Sequence, residues 1–257
     1  MHKVGKYVYC IIATSYECNF GPIGIGGAGD LVSTIAFEGL SMVVSDHPLD
    51  HFVLNPENIL AHQKVIEAVM KEFNSVIPVR FGTVAATPDE IRNLLNRRYS
   101  ELSEILERFE NKVEYNVKGS WRKIADIYKE IDKENHELKD LKNEIDNTDD
   151  EEKKNMLITK AGNIIQYALQ KKKEYEEEEI VSAFRKTVVA QKRNKTHGER
   201  EFMNTAFLLN KGREIEFDNI MTSLGDKFKD RYDFIYTGPL PIFNFVDLRI
   251  LPEKWEL

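Results

Sequence analysis

An α+β fold in two domains, the second a modified ferredoxin-like domain with a long helical insertion, is what this sequence predicts. Three observations carry it. Three β-rich runs precede any helix, a second β-rich run opens the other half of the chain, and a strongly charged helical stretch interrupts that half before strands return. The 257 residues are enough for one large or two medium domains. With 42% apolar residues the chain can bury a core, and its 31% charged residues point to long solvated helices.

The first strand is Tyr7 to Ala13 (YVYCIIA), and Leu31 to Phe37 with Leu40 to Ser45 reads as two more, turned at Glu38-Gly39. Helix begins at NPEN, where Asn55 is the N-cap and Pro56 occupies the first turn, its missing N–H costing nothing. Ile59, His62, Ile66, Val69 and Phe73 form its apolar face, with His62 as a hydrogen-bonded core histidine. SVIPVRFGTV is a short buried strand stopping near Gly82. Thr87, Pro88 and Glu90 then make a capping box for one helix with the face Ile91, Leu94, Leu95, Leu102, Ile105, Leu106 and Phe109.

Residues 1–111 thus form the first domain. The second, 112–237, opens with a strand over Lys112 to Lys118 and carries a helical hairpin at about 120–195. Its first arm is one long amphipathic helix through Ile124, Ile127, Ile131, Leu138, Leu141 and Ile145. Thr148 with Glu151 caps the second arm, whose stripe is Leu157, Ala161, Ile164, Ala168 and Tyr175. The KKK at 171–173 and EEEE at 176–179 read as solvated helix surface. Helix continues through Ile180, Phe184 and Val188, QKRNKTHGER is a loop, and strand, helix and strand follow at Phe202 to Asn210, Arg213 to Lys229 and Tyr232 to Thr237. Residues 238–257 are a tail.

A net charge of −7 and an isoelectric point near 5.5 work against phosphate-backbone binding, so nucleic acid is not an expected partner. No apolar run reaches the length of a membrane span and the N-terminus lacks a signal-peptide pattern, so a cytoplasmic protein without a membrane partner is expected. Cys10 and Cys18 have no redox or zinc spacing and are expected to be reduced thiols, Cys10 in a buried strand.

The run GIGGAGD at 24–30 matches G-x-G-x-x-G through Gly24, Gly26 and Gly29, with Asp46 following. Pyrophosphate binding needs a helix opening out of the glycines. LVSTIAF favours a strand there instead, so the run reads as a loop between strands. DHPLDH, with His47 and His51 around Pro48, is expected to be a surface loop and not a metal site. There is no G-x-S-x-G elbow and no H-E-x-x-H, so neither catalytic residues nor cofactors are expected.

Two stretches remain. Arg80, in VIPVRFGTV, has a guanidinium expected among apolar residues, where it serves either an internal ion pair tying strand to helix or recognition of a partner. The tail GPLPIFNF combines a fixed turn with aromatic area, and either packs back on its own domain or offers an aromatic patch to another protein.

YVYCII, MVVSDHP, the helix of His62, IPVRFGTV, EYNVKGSW, AFLLN and YTGPLPIFNFVDLRI, in this order, resemble the gas vesicle protein family GvpF/GvpL over nearly the whole chain. IPVRFGTV and TGPLPIFNFV are the most specific parts. The family's tail reads closer to GPWPPYNF; here Leu240, Ile242 and Phe243 replace the Trp, the second Pro and the Tyr. The resemblance implies a non-enzymatic assembly protein that partners the small hydrophobic wall protein GvpA at the gas vesicle, chaperone-like or as an accessory factor. The alternative is a minor structural component at the inner surface or nucleating cap. The residues expected to bind a partner are Arg80, Phe81 and Gly82, and Gly238, Pro239, Pro241, Phe243, Asn244 and Phe245.

Overall fold

In the computed structural model, which describes residues 4–26, 30–49, 54–248 and 250, the chain falls into two compact units. The first comprises residues up to Glu114 together with Leu208–Lys211 and the tail from Gly238; the second comprises Tyr115–Phe207 and Gly212–Thr237.

The first unit is built on β1 (Val4–Ala13), β2 (Asn19–Gly21), β3 (Val32–Phe37), β4 (Leu40–Pro48), β5 (Val76–Pro78) and β6 (Val84–Ala85). They form an antiparallel sheet in the order β2-β3-β4-β1-β5, with β6 also on β1. Helix α1 (Pro56–Glu72) covers one face, and α2 (Pro88–Arg97) with α3 (Tyr99–Arg108) the other. A strand buried on both faces reads as a continuous apolar run, which is why YVYCIIA shows no alternation. The β1–β4 register shifts between Val8 and Cys10. As a result Val8 and Ile11 join the core with α2 and α3, whereas Tyr7, Tyr9, Cys10 and Ile12 all join the core with α1.

The capping signals hold. Asn55 accepts from the Asn58 N–H at 2.7 Å, and Thr87 accepts from the Glu90 N–H at 3.2 Å. Glu90 returns its bond one residue early, to the Ala86 N–H. Other expectations need correction. The single helix expected after Thr87 is two, because Arg98 leaves helical geometry at φ −110°, ψ 19°. A fourth early strand, β2, was not anticipated, and Asp46, His47 and Pro48 belong to β4 and not to a loop. Asp50 and His51 lie outside the described residues.

The second sheet contains β7 (Lys112–Trp121), β8 (Ala190–Arg193), β9 (Glu201–Asn210) and β10 (Tyr232–Leu240) in the order β10-β7-β9-β8. Helices α4 (Ile124–Glu134), α5 (His136–Asp146) and α6 (Glu151–Phe184) separate β7 from β8, and α7 (Glu214–Lys227) separates β9 from β10. This is the βαββαβ ferredoxin-like order, with a multi-helix insertion in place of its first helix. β8 completes it, and it occupies part of QKRNKTHGER, which had read as loop. The first arm of the insertion is broken at Asn135 (φ −108°, ψ 105°), which caps α5, and Asp150 caps α6 in place of Thr148.

The charges along α6 are not all solvated. Lys173, Glu176 and Glu177 are buried. Lys173 Nζ donates to the Gly198 carbonyl at 2.8 Å, and Thr205 Oγ1 donates to Glu177. Glu176 accepts from the Trp121 indole and from Arg231, which also forks onto Glu130 at 2.7 and 2.9 Å. Lys172 reaches Glu130 at 3.0 Å. The Arg231 fork holds the Glu130 carboxyl down at about 2. Tyr175, expected on the buried stripe, is 75% exposed.

Candidate functional site

Within the first unit, the turn that contains Arg80, Phe81 and Gly82 is fastened from below. β5 ends at Pro78, after which Val79 N–H donates to the Tyr9 carbonyl and Val8 N–H to the Thr83 carbonyl, both at 2.9 Å. Thr83 Oγ1 closes back on the Arg80 carbonyl at 2.8 Å. Gly82 has φ +89°, a left-handed conformation that glycine adopts without strain.

Two buried side chains complete the anchorage. His62 from α1 lies 3.1 Å through Nε2 from the Val79 carbonyl, and 2.9 Å through Nδ1 from the Tyr7 hydroxyl. A carbonyl only accepts, so Nε2 carries the proton and Nδ1 accepts from Tyr7. The Tyr7 oxygen in turn accepts the Gly82 N–H at 3.0 Å. Burial pushes the Tyr7 phenol up and the His62 imidazole down to about 4, so both are neutral at ordinary pH. The network reads Gly82 N–H to Tyr7, Tyr7 to His62, His62 to the Val79 carbonyl.

The tail comes to the same place. The Phe81 and Phe243 rings lie 5.6 and 6.4 Å from the His62 ring, and Arg80 meets Asp247 at 3.8 Å. The Phe243, Phe245 and Val246 N–H groups donate to the Pro241 and Ile242 carbonyls, forming a compact turn. Asn244 is gripped by the buried carboxylate of Glu114, its N–H at 2.9 Å and its amide at 2.6 Å. Ile242 is buried with Phe109 and Leu208, Phe245 and Val246 pack on that cluster, and Leu248 enters the core beside α2 and α3.

The proposed residues therefore divide. Pro241 is buried, Asn244 and Phe245 are half-buried, and Arg80, Gly82, Gly238, Pro239 and Phe243 are exposed. The tail both packs back and presents one ring. Arg80 is a correction: its side chain is 68% exposed, not enclosed, because the strand stops two residues earlier, and its partner is the tail and not a helix. Tyr7, Glu114 and Asp247 complete the site and were not singled out from sequence. Glu114 sits at an alternate position in KVEYNVK, where a carboxylate reads as solvent-facing.

The described part of the glycine run, Gly24 to Gly26 and Asp30, lies between β2 and β3 outside any helix or strand. Gly24 N–H donates to the Asp30 carbonyl at 2.9 Å and Ile25 N–H to the Tyr9 hydroxyl at 2.8 Å. β3 follows from Val32, so among the described residues no helix opens out of the run; Gly27, Ala28 and Gly29 lie outside the described residues. Cys10 is buried and Cys18 half-buried, and both are free thiols.

Comparison with known proteins places this architecture. The fold superposes on the crystal structure of gas vesicle protein GvpF from Anabaena sp. PCC7120 with a TM-score of 0.77, at 20% identity, covering 96% of this chain and 99% of that one. GvpF from Microcystis aeruginosa gives 0.76 at 21% identity, covering 95% and 99%. In sequence, the chain is 33% identical to gas vesicle protein F of Streptomyces sp. (strain CB03234) over 54% of its own length and 57% of that protein. It is 24% identical to gas vesicle protein F1 of Halobacterium salinarum over 97% and 96%. A family model described as gas vesicle synthesis protein GvpL/GvpF matches residues 5–247, and the chain belongs to that family.

Proposed function

We propose that this chain binds the hydrophobic gas vesicle wall protein GvpA and keeps it dispersed until it joins the growing shell. One observation supports this above all: the Arg80–Gly82 turn and the Phe243–Phe245 turn meet over a buried histidine and leave a guanidinium and an aromatic ring at the surface. Arginine and aromatic side chains are the types that anchor protein interfaces. Gly82 adds a point where a partner's backbone can approach closely. The net charge of −7 would keep a complex with an apolar subunit from aggregating.

The test is co-expression of GvpA with the wild type and with the Arg80→Ala/Phe243→Ala double variant, reading soluble GvpA. The wild type is expected to raise the soluble fraction and the double variant to lose most of that gain. Equal soluble GvpA with and without the chain overturns the proposal.

A further inference from the structure

A sheet edge presents a row of backbone N–H and C=O groups that pairs with any extended chain unless the edge is short, charged or covered. The edges of these two sheets are treated unequally. In the first unit β2 and β5 have three residues each. In the second, β8 has four and includes Lys192 and Arg193.

β10, at the opposite edge of that sheet, has nine residues. Ile235 through Pro239 are all exposed, Ile235 at 68% and Tyr236 at 41%. Between Asp233 and Asp247 the sequence holds no charged residue. The beginning of the strand is occupied: Asp233 pairs with Arg122 at 2.9 Å and Arg200 at 3.8 Å, and Arg122 Nε donates to the Tyr232 carbonyl. Pro239 has no N–H to offer. Among the described residues the open stretch is therefore Phe234–Gly238, with the Phe217 ring against Tyr236.

We propose that this open edge takes up an extended, uncharged, apolar segment of the wall protein as an added strand. The inference rests on the reading above that GvpA is the partner. Backbone pairing would supply affinity, and Ile235, Tyr236 and Thr237 would sort the side chains that fit beside them. An acidic segment would meet Asp218, which accepts from the Tyr236 hydroxyl at 3.3 Å, and the stretch itself carries no cation to offset that charge, so its desolvation there is costly. A second copy of this chain offers matching chemistry but brings another −7 of net charge, which repels.

The experiment compares backbone amide exchange at Phe234–Gly238 in the full chain alone and co-purified with GvpA, and measures GvpA capture by Ile235→Lys and Thr237→Lys, with thermal melting as the folding check. Exchange is expected to slow, and capture to fall, on the order of tenfold. Unchanged exchange together with wild-type capture by both variants overturns the edge while leaving the partner reading intact. A wild type that captures no GvpA defeats the partner reading and this inference with it. A dimer formed without GvpA and dissolved by Ile235→Lys overturns the inference in favour of a second copy. Should a variant melt early, the exchange measurement on the wild type decides.

Discussion

Each unit holds a polar cluster against a helix, and the two clusters have opposite chemistry. In the first, Tyr7 and His62 are neutral and spend their hydrogen bonds on the backbone of a surface turn. In the second, Glu176, Arg231, Glu130 and Lys172 are charged and link α4 and α6 to the residue just before β10. A neutral network shapes a loop with little sensitivity to salt. An ionic one fixes the orientation of an insertion, and because its desolvation cost offsets much of its attraction, it matters most when one partner is removed.

Four measurements would sharpen or break this contrast. The largest effect is expected from Glu176→Ala, which strips the Trp121 indole and the Arg231 guanidinium of a buried acceptor; urea unfolding should show a loss of about 3 to 5 kcal/mol. A loss no greater than that of the neutral-network variants would erase the distinction.

Acid should separate the units next. His62 has a folded-state pKa of about 4, below its ordinary 6.5, so the unfolded chain binds the proton first. The stability it contributes is complete above about 6.5 and is lost as pH falls toward 4, about 3 kcal/mol in all. Glu130, held near 2 from 4.5, acts in a lower window, its contribution being complete above about 4.5 and lost toward 2. Its carboxyl is one-third exposed, so about 1 kcal/mol is expected. Amide exchange resolved by unit between pH 7 and pH 3 checks the order, and simultaneous loosening would contradict it.

Tyr7→Phe should cost about 1 to 2 kcal/mol, since it leaves His62 Nδ1 and the Gly82 N–H without their partner. Exchange at Gly82 should rise with little change in the second unit. The smallest effect belongs to Arg80→Ala, because its side chain is exposed and its 3.8 Å pair with Asp247 lies in solvent; below about 0.5 kcal/mol is expected in thermal melts.

The same contrast explains which features were legible in the sequence. Caps at Asn55 and Thr87 are local chemistry and could be read directly. The breaks at Arg98 and Asn135 could not, because Leu95 to Leu102 and Ile131 to Leu138 each keep a seven-residue spacing across one non-helical residue. β8 has no apolar alternation to announce it, being an exposed edge. The neutral site was partly visible, since a histidine on an apolar helix face implies hydrogen-bond partners. Its Tyr7 and Glu114 partners come from distant strands. The ionic cluster was hidden entirely: a run of glutamates reads as solvent until a tryptophan and an arginine from elsewhere in the chain close over it.

Burial along α6 is confined to its C-terminal half. At about 1.5 Å per residue its 34 residues extend about 51 Å. Every buried side chain on it lies at Leu169 or beyond. The outer half is a spar, joined to α5 by surface ion pairs such as Lys160–Glu137 and Lys153–Glu144. Adding or removing a heptad in both arms would leave the root undisturbed, so the reach of this spar can be altered without redesigning the domain that carries it.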